Sequence, residues 1–376
     1  MKILLTGGGS GGHFYPLIAV AEELNRITHE EKLVTPELFF MSDAPYDQKA
    51  LFDNDIVFKK VPAGKLRRYV SIQNFFDIFK TIWGTIHAFF TVFAIYPDVI
   101  FSKGGYGSFP ATLAARILRI PLIIHESDSV PGRANAWAGK FATRIAVSFS
   151  NAVQYFPLKK TAWTGNPVRN EVKTLLREGV HQLLHFDAKV PTLLVLGGSQ
   201  GAQLLNNTLL DVLNELVREF QVIHQTGPNN FKEVSNVSSV ALQDNQFKNR
   251  YRPFSYLDTE TLKMAAGAAD IILSRAGAGA ISEIAIWGKP SIIVPITDSN
   301  GDHQRKNAIE YEKSGACVVI EEGNLKPHIL FADLKRLIED KSLLQKMSAG
   351  AQQFAKPDAA EKVARGIIAI ALKHEN

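Results

Sequence analysis

The first residues of the chain restrict the fold more than any other feature: an apolar strand, a glycine-rich loop and an amphipathic helix follow each other directly. The strand is KILLT (Lys2–Thr6), the loop is GGGSGGH (Gly7–His13), and apolar residues have helical spacing from Pro16 to Asn25. Glycines let backbone N–H groups approach a phosphate at the N-terminus of a helix, where the dipole favours negative charge. The pattern therefore predicts an α/β protein that binds a phosphate-bearing ligand.

Apolar runs alternate with helical patterns along the rest of the chain, which predicts parallel sheets covered by helices. The first strand is followed by ELFFMS, PDVIFS, PLIIHE and RIAVSF. The pattern restarts at Pro191 with TLLVLGGSQGA, FQVIHQTG, DIILSR, PSIIVPI and ACVVI. This restart predicts two Rossmann-like domains that face a cleft, with their boundary between Gly165 and Pro191. We place the domains at 1–168 and 169–357, with an amphipathic helix in 358–376 that packs back on the first domain.

The first glycine loop also satisfies the dinucleotide-binding pattern G-x-G-x-x-G, so an NAD-dependent dehydrogenase is one alternative. The acidic residue expected about 20 positions later for the ribose is missing, since Glu30 and Glu31 precede the second strand and the next candidate is Asp43. Two further glycine loops, KGGYGSFPA and GGSQGA, follow predicted strands, and the second lacks the G-K-[ST] ending of a P-loop. Three such loops favour two phosphate-bearing ligands, with plain tight turns as the alternative.

The composition favours a globular protein of a reducing compartment. Apolar residues make up 46% of the chain, and its single cysteine, Cys317, excludes a disulfide within one chain. Glycines interrupt the apolar run after Leu5, so we expect no signal peptide and a cytoplasmic location. We also expect no metal site: Asp53–Asp55 is typical of a solvated turn, and the pair Asp302–His303 is too small a ligand set.

A basic segment precedes an aromatic-rich helical pattern in the first half of the chain, which indicates an anionic partner. Apolar residues from Ile72 to Phe93 have helical spacing, and Asp77 and Lys80 within it argue against a transmembrane span. One interpretation is a helix packed on the sheet, which we expect for its second half. For the first half we favour a membrane-contact patch, and we see no nucleic-acid-binding module. The patch comprises Lys65, Arg67, Arg68, Phe75, Phe76 and Phe79.

Six motifs occur in one order along nearly the whole chain: GGGSGGH, KGGYGSFPA, HESDSVPGRANAWAGKFA, TGNPVR, GGSQGAQLLN and SRAGAGAISEIAIWGKPSIIVPI. In them the chain resembles the MurG-type UDP-N-acetylglucosamine–N-acetylmuramyl-(pentapeptide) pyrophosphoryl-undecaprenol N-acetylglucosamine transferases. The resemblance implies a GT-B fold and an inverting transfer of GlcNAc from UDP-GlcNAc to O4 of MurNAc in lipid I, which forms lipid II for peptidoglycan. Two alternatives stay open: a transferase of this fold with another lipid acceptor, and a catalytically inactive nucleotide-sugar-binding protein.

The resemblance implies that the second domain binds the donor, with no tightly bound cofactor and with a loosely bound divalent cation left open. Matched positions contact the ribose, the uracil, the phosphates and the sugar hydroxyls. They are Glu283 for the ribose, Leu257 near the uracil, Arg169, Ser199 and Gln200 at the phosphates, Gln304 and Asn307 at the sugar, and Ala278.

A base must accept the O4 proton as the new bond forms, and the ordinary pKa of a histidine suits that task. The resemblance marks His13 as the general base or an acceptor-positioning group; a role in capping the loop or contacting the diphosphate stays open. Asp128 is the second candidate. The family usually has HEQN where this chain has HESD, and a carboxylate at this position could assist proton transfer or simply form a hydrogen bond. The resemblance further implies acceptor and phosphate loops that contain Ser10, Gly11, Gly12, Tyr106, Ser108 and Asn135.

The same resemblance implies the partners and the location. UDP-GlcNAc and lipid I would be the substrates. The family associates with the cytoplasmic face of the plasma membrane through a hydrophobic patch ringed by basic residues. We therefore expect a cytoplasmic protein bound peripherally to that membrane, with other cell-wall synthesis proteins as further partners and no nucleic acid.

Overall fold

The computed structural model describes residues 1–64, 72–176, 184–198 and 201–374, except for the side chains of 72–79, 300 and 374. The chain divides into two units: Met1–Asn170 together with Lys356–Asn376, and Glu171–Ala355. These bounds lie close to those predicted from the sequence. Arg169, which we had assigned to the second domain, belongs to the first unit.

Each unit is built on a parallel sheet. The strands are β1 (Lys2–Thr6), β2 (Glu37–Ser42), β3 (Ile56–Lys60), β4 (Val99–Ser102), β5 (Leu122–Glu126), β6 (Arg144–Val147), β7 (Thr161–Trp163), β8 (Thr192–Leu196), β9 (Gln221–Gln225), β10 (Tyr251–Phe254), β11 (Ile271–Arg275), β12 (Ser291–Val294) and β13 (Cys317–Val319). Within the described residues, the order is β3-β2-β1-β4-β5-β6-β7 in the first unit and β10-β9-β8-β11-β12-β13 in the second. The repeated architecture predicted from the restart at Pro191 is therefore present.

Except between β6 and β7, where the connection contains 3₁₀ helices, α-helices connect successive strands, as is usual for parallel pairing. They are α1 (Gly11–Glu30), α2 (Gln48–Asp53), α3 (Ile72–Ile95), α4 (Phe109–Leu118), α5 (Arg133–Ala138), α6 (Asn170–Lys173), α7 (Gln203–Asp211), α8 (Leu213–Glu219), α9 (Phe231–Ala241), α10 (Thr259–Ala268), α11 (Ala278–Trp287), α12 (His303–Glu312), α13 (Pro327–Glu339), α14 (Lys341–Phe354) and α15 (Ala359–His374).

The C-terminal helix α15 belongs to the core of the first unit. Ala364 and Ile367 on this helix are fully buried in the same apolar cluster as Leu17 of α1. Arg365 of α15 also pairs with Glu31 at the end of α1 over 2.7 Å. Burial of an apolar helix face stabilises such packing by about 1.5–3 kcal/mol for each large aliphatic side chain.

The second half of α3 packs on the sheet, as predicted: Ala88 and Val92 belong to one apolar cluster with Leu4 and Ile100 of the strands. Only one of its faces is buried: Ala88 and Val92 are inaccessible to solvent, whereas Trp83, Phe90 and Phe93 are 65%, 63% and 59% exposed. The helical period places these residues on different sides of one helix, so a single apolar pattern contains both a core face and an exposed face. No helix of the described residues is long and apolar enough to cross a membrane.

Candidate functional site

Two glycine loops meet at the carboxyl edge of the first sheet because β1 and β4 pair in parallel. The Gly8 N–H donates to the Gly104 carbonyl oxygen over 2.9 Å. Gly104 and Gly105 have φ values of +77° and +81°, a region that favours glycine. A Cβ on Gly105 would lie 2.8 Å from the Gly8 Cα, so side chains would separate the two loops.

His13 lies in the first turn of α1, not in the loop before it, and its ring borders both glycine loops. Its Nδ1 is 3.2 Å from the Lys103 carbonyl oxygen. A carbonyl oxygen only accepts hydrogen bonds, so Nδ1 carries the proton in this contact and the neutral ring has its lone pair on Nε2. The structure thus places a half-buried histidine, with Nε2 as its basic nitrogen, where the two loops meet.

Ser10, Gly11 and Gly12 form the start of α1. Ser10 is the exposed N-cap residue, with an extended backbone. A Cβ on Gly11 would lie 2.8 Å from the Tyr46 hydroxyl, whereas one on Gly12 would meet nothing within 4 Å. The first N–H groups of a helix have no partner inside it and carry partial positive charge. This helix start is therefore open beside Gly12 and suits an anionic group.

Tyr106 and Ser108 follow the second glycine loop. The Tyr106 hydroxyl donates to Asp43 Oδ2 over 3.1 Å. Burial, and then the negative charge of Asp43, raise the pKa of Tyr106 to about 12. Ser108 is buried and donates to the Gly105 carbonyl over 2.9 Å, so it shapes the loop from within. Asp43, which we considered only as a ribose ligand, therefore lies beside the predicted acceptor loops.

A lysine is buried beneath the second glycine loop. Lys103 is 1% exposed. Its Nζ is 2.7 Å from His125 Nδ1, 2.6 Å from Ser127 Oγ and 3.2 Å from Asn166 Oδ1. His125 Nε2 donates to the Gly165 carbonyl over 2.9 Å, so its Nδ1 accepts from the lysine. Burial lowers the pKa of Lys103 to about 7. Burial and the charge of Lys103 lower the pKa of His125 well below its ordinary value.

Glu126, the last residue of β5, is a second buried ionisable group. Its carboxylate accepts from the Asp128 N–H over 3.0 Å, from the Gly132 N–H over 3.1 Å and from Asn135 Nδ2 over 2.9 Å. Burial, and then the negative charge of Asp128, raise the pKa of Glu126 to about 7. The buried amide of Asn135 also donates to the His125 carbonyl over 3.0 Å. The predicted residues Asp128 and Asn135 are therefore brought together by a carboxylate that our sequence analysis did not single out.

Lys103 and Glu126 did leave a signal in the sequence. Each stands at the end of an apolar run, PDVIFS before Lys103 and PLIIH before Glu126. The carboxyl ends of strands are where open α/β sheets bind ligands. A charged residue at the end of a buried strand is therefore a candidate for the site even without a match to a motif.

Arg169 lies against α1 of the first unit. The centre of its guanidinium group is 4.2 Å from the centroid of the Tyr15 ring, a cation–π distance. Tyr15 in turn meets Tyr46 edge-on, with the ring centroids 5.7 Å apart. These aromatic contacts hold the arginine at the unit that carries His13.

In the second unit, Gln225 connects two of the predicted donor-binding segments. Its Nε2 donates to the Gly198 carbonyl over 3.4 Å, and its Oε1 accepts from the Leu257 N–H over 3.1 Å. Leu257 is buried, so its backbone forms part of the carboxyl edge of the second sheet. The predicted residues Ser199 and Gln200 lie outside the described residues.

A neutral polar network lies behind the third glycine loop. His224 Nε2 is 3.0 Å from Asn206 Oδ1, and its Nδ1 is 2.8 Å from the Tyr251 hydroxyl. Since an amide oxygen only accepts, Nε2 carries the proton and Nδ1 accepts from the tyrosine. Burial lowers the pKa of His224 to about 3, so the ring is neutral at physiological pH.

Helix α11 begins with the buried Ala278 and carries the half-buried Glu283 in its second turn. Asn307 is fully buried and donates from Nδ2 to the Ala276 carbonyl over 3.2 Å, so it holds the turn before this helix. Gln304 Oε1 accepts from the Ile296 N–H over 3.1 Å. The structure thus gives both predicted sugar-binding amides a role in holding a loop at this edge.

An ion pair at the same edge was not predicted. Arg275, the last residue of β11, pairs with Glu322 over 2.8 Å. The other carboxylate oxygen of Glu322 accepts from the Thr297 N–H over 3.0 Å. The pair therefore holds the loop that follows β12 against the end of β11.

Among the described residues no group of three or more His, Cys, Asp or Glu side chains could hold a metal ion. Asp53 ends α2 and Asp55 is exposed in the following turn with φ of +55°. The D-x-D sequence therefore forms a solvent-exposed turn, as predicted. The expectation of no metal in the reaction stays a prediction.

Comparison with known proteins places both units in one family. The model of the glycosyltransferase family 28 N-terminal domain matches residues 3–147, and that of the C-terminal domain matches residues 192–363. A UDP-N-acetylglucosamine–N-acetylmuramyl-(pentapeptide) pyrophosphoryl-undecaprenol N-acetylglucosamine transferase of Clostridium kluyveri is 36% identical over 94% of this chain and 96% of its own. The transferase of the same name from Treponema denticola is 36% identical over 89% and 88%. The chain belongs to the MurG-type transferases of glycosyltransferase family 28.

Solved structures agree with this membership. Acinetobacter baumannii MurG aligns with a TM-score of 0.73 and 25% identity, over 98% of this chain and 99% of its own. A UDP-GlcNAc 2-epimerase from Neisseria meningitidis, solved with UDP-GlcNAc, has a TM-score of 0.68 at 15% identity, over 98% and 100%, and shows the fold alone. The family resemblance and the GT-B fold with two parallel-sheet domains are confirmed; the dehydrogenase alternative is wrong. The roles of individual residues stay predictions.

Proposed function

We propose that this glycosyltransferase moves GlcNAc from UDP-GlcNAc to O4 of MurNAc in lipid I, with inversion at the anomeric carbon, and so forms lipid II. The observation that carries this assignment is the similarity to transferases of this name over 94% and 89% of the chain. The chemistry at the two carboxyl edges supports it, because glycine loops and helix starts suit phosphate-bearing substrates in each.

In one displacement, the O4 oxygen attacks the anomeric carbon, the bond from that carbon to the UDP oxygen breaks, and the O4 proton passes to a base. We propose His13 as that base, because its contact with the Lys103 carbonyl leaves the lone pair on Nε2. The open start of α1 beside Gly12 would bind the acceptor diphosphate. Asp128 would act on this site mainly through its charge, since it raises the pKa of Glu126.

The leaving UDP takes negative charge, which the second unit would stabilise through backbone N–H groups and the start of α11. Glu283 would accept hydrogen bonds from the ribose hydroxyls, with Ala278 at the helix start and the Leu257 backbone near the uracil. Ser199 and Gln200 would contact the pyrophosphate, and Arg169 would supply a phosphate contact. Gln304 and Asn307 would contact the donor sugar directly or through the loops they hold.

We propose that no cofactor is bound tightly, and that any divalent cation would accompany the donor pyrophosphate. Turnover should therefore survive dialysis against EDTA. A complete loss of turnover that Mg²⁺ restores would instead indicate that a metal ion neutralises the charge of the donor pyrophosphate.

We propose that the protein acts from the cytoplasm at the surface of the plasma membrane, because the lipid tail of its acceptor lies there. The exposed face of α3, with Trp83, Phe90 and Phe93, supports this placement. The predicted patch residues Lys65, Arg67 and Arg68 lie outside the described residues, as do the side chains of Phe75, Phe76 and Phe79. Association with other cell-wall synthesis proteins stays a prediction.

The test is transfer of radiolabelled GlcNAc from UDP-GlcNAc to a short-chain lipid I analogue, with UDP-GalNAc and UDP-glucose as competing donors. We expect a labelled disaccharide product from UDP-GlcNAc alone. Product with a diacylglycerol but not with the lipid I analogue would favour the alternative acceptor. UDP-GlcNAc binding without product from any lipid would indicate an inactive binding protein.

A further inference from the structure

Lys103 connects three separate segments at the carboxyl edge of the first unit. Its Nζ is hydrogen-bonded to His125 and Ser127 at the end of β5 and to Asn166 in the segment after β7. Its own carbonyl oxygen contacts Nδ1 of His13 in α1. One buried residue therefore contacts the proposed base and, through Asn166, the segment that leads to Arg169.

The hydrogen bonds around Nζ are complete in two protonation states. His125 Nδ1 and Asn166 Oδ1 can only accept, because His125 Nε2 carries the proton given to the Gly165 carbonyl. The Ser127 hydroxyl can accept or donate. An ammonium group at Lys103 donates all three bonds. A neutral amine donates two and accepts the third from Ser127, so no bond is lost when the proton leaves.

Nearby negative charges oppose the effect of burial on the pKa of Lys103. Glu126 and Asp128 favour the ammonium form, while burial disfavours it more strongly and lowers the Lys103 pKa to about 7. His125 is neutral, because burial and the lysine lower its pKa well below the ordinary value. The contact between His13 and Lys103 is to the backbone carbonyl oxygen of the lysine. Both forms of Lys103 are therefore populated near neutral pH.

We propose that Lys103 is a positioning residue of the transfer reaction, which keeps the second glycine loop, His13 and the segment before Arg169 in one arrangement whichever protonation state it has. This role rests on the function proposed above. It goes beyond the predicted site, in which the lysine had no part.

Two variants separate positioning from simple stability. Lys103→Met fills the space but leaves His125 Nδ1 and Asn166 Oδ1 buried without the lysine. We expect kcat to fall by about tenfold or more, since small misplacements of reacting groups are costly. UDP-GlcNAc affinity should fall less, because Arg169 is only one of the proposed donor contacts. Ser127→Ala keeps the lysine but removes the hydroxyl that accepts a hydrogen bond from the ammonium form and donates one to the neutral amine. Its kcat relative to wild type should fall as pH is lowered from about 8 to about 6, because the ammonium form then has an unsatisfied buried N–H.

The matched control is Lys160→Met. Lys160 is another hydrogen-bonded lysine of the first unit, and its Nζ donates to the Ala142 carbonyl over 3.1 Å. It precedes β7 and so lies at the opposite edge of the sheet. Its kcat and pH profile should match those of the wild type. Equal kcat values for Lys103→Met and Lys160→Met, or a flat pH ratio for Ser127→Ala, would overturn the positioning role.

Hydrogen exchange tests the role without any lipid substrate. Amides of the second glycine loop and of residues 165–169 should exchange faster in Lys103→Met than in Lys160→Met, with the second unit unchanged. Equal exchange in the two variants would overturn the proposal. If the wild type transfers no sugar but exchange changes as expected, the proposed function fails while the positioning of these loops stands.

Discussion

The carboxyl edges of the two sheets have the same backbone design but differ in the ionisable groups that they bury. In the first unit, burial places Lys103 and Glu126 at pKa values of about 7 beside the glycine loops. In the second unit, the buried histidine His224 has a pKa of about 3, and Gln225 and Asn307 are neutral amides. The difference indicates that the first unit has buried groups that exchange protons near neutral pH, whereas the buried polar network of the second unit stays neutral.

The largest expected effect concerns the proposed base of the first unit. His13→Ala should lower kcat by about 10²–10⁴-fold, the usual contribution of a general base. Single-turnover transfer to the lipid I analogue measures this rate. His224→Ala is not a suitable control, because it disrupts the buried hydrogen-bond network of the second unit. His185→Ala serves instead, since His185 is exposed and precedes β8 in the other unit. An unchanged rate for His13→Ala would exclude His13 as the base.

The buried ionisable groups should make stability depend on pH. The folded pKa of Lys103 lies below its unfolded value, so between about pH 7 and pH 10 the unfolded chain binds the extra proton. The free energy of unfolding should therefore rise with pH there, by up to about 1.4 kcal/mol per unit. The pKa of Glu126 is raised in the folded state, so the free energy of unfolding should fall as the pH rises from about 4.5 to about 7. Urea unfolding of wild type and Lys103→Met measures both slopes, and the same rise above pH 7 in the variant would contradict this assignment.

Membrane binding should also differ between the units. Replacing Phe90 and Phe93 on α3 by serine should weaken binding to anionic vesicles by about tenfold, because large apolar side chains leave the interface. The matched control is Val237→Ser with Val240→Ser, two exposed apolar residues on α9 of the second unit. Equal co-sedimentation of the two double variants would show that the exposed face of α3 has no special role.

The smallest effect is expected at Asp128. Asp128→Asn removes a charge that raises the pKa values of Glu126 and Lys103, so both should fall. We expect kcat at neutral pH to change by less than about tenfold, well below the loss of a general base, and the pH–rate profile to move to lower pH. A loss of about 100-fold at every pH would instead make Asp128 the proton acceptor.

The sequence predicted the central strands well because each is an apolar run that ends in glycine or a polar residue. KILLT and ELFFMS match β1 and β2 residue for residue. The strands β3, β7 and β10 were not predicted, and each lies at an edge of its sheet. Edge strands are partly exposed, as Val57 and Trp163 show at 48% and 45%, so their apolar pattern is weak.

The candidate site was predicted where a motif marks it and missed where burial creates it. His13 and Asn135 belong to recognisable motifs. The altered pKa of Lys103 comes from burial and from the charges of Glu126 and Asp128, more than 20 residues away, and that of Glu126 comes mainly from burial. No pattern within a single segment contains that information. The buried face and the exposed face of α3 could likewise not be told apart in the sequence, because apolar residues lie on both.

The central claim is that the first unit performs proton chemistry while the second binds the donor. Calorimetric titration of UDP-GlcNAc into Glu283→Ala and His13→Ala, side by side, tests it most directly. We predict that Glu283→Ala weakens donor binding by about 10–100-fold, through the loss of charged hydrogen bonds worth about 1.5–3 kcal/mol, and that His13→Ala leaves it unchanged. Equal donor affinities for the two variants, or a loss confined to His13→Ala, would contradict this division between the units.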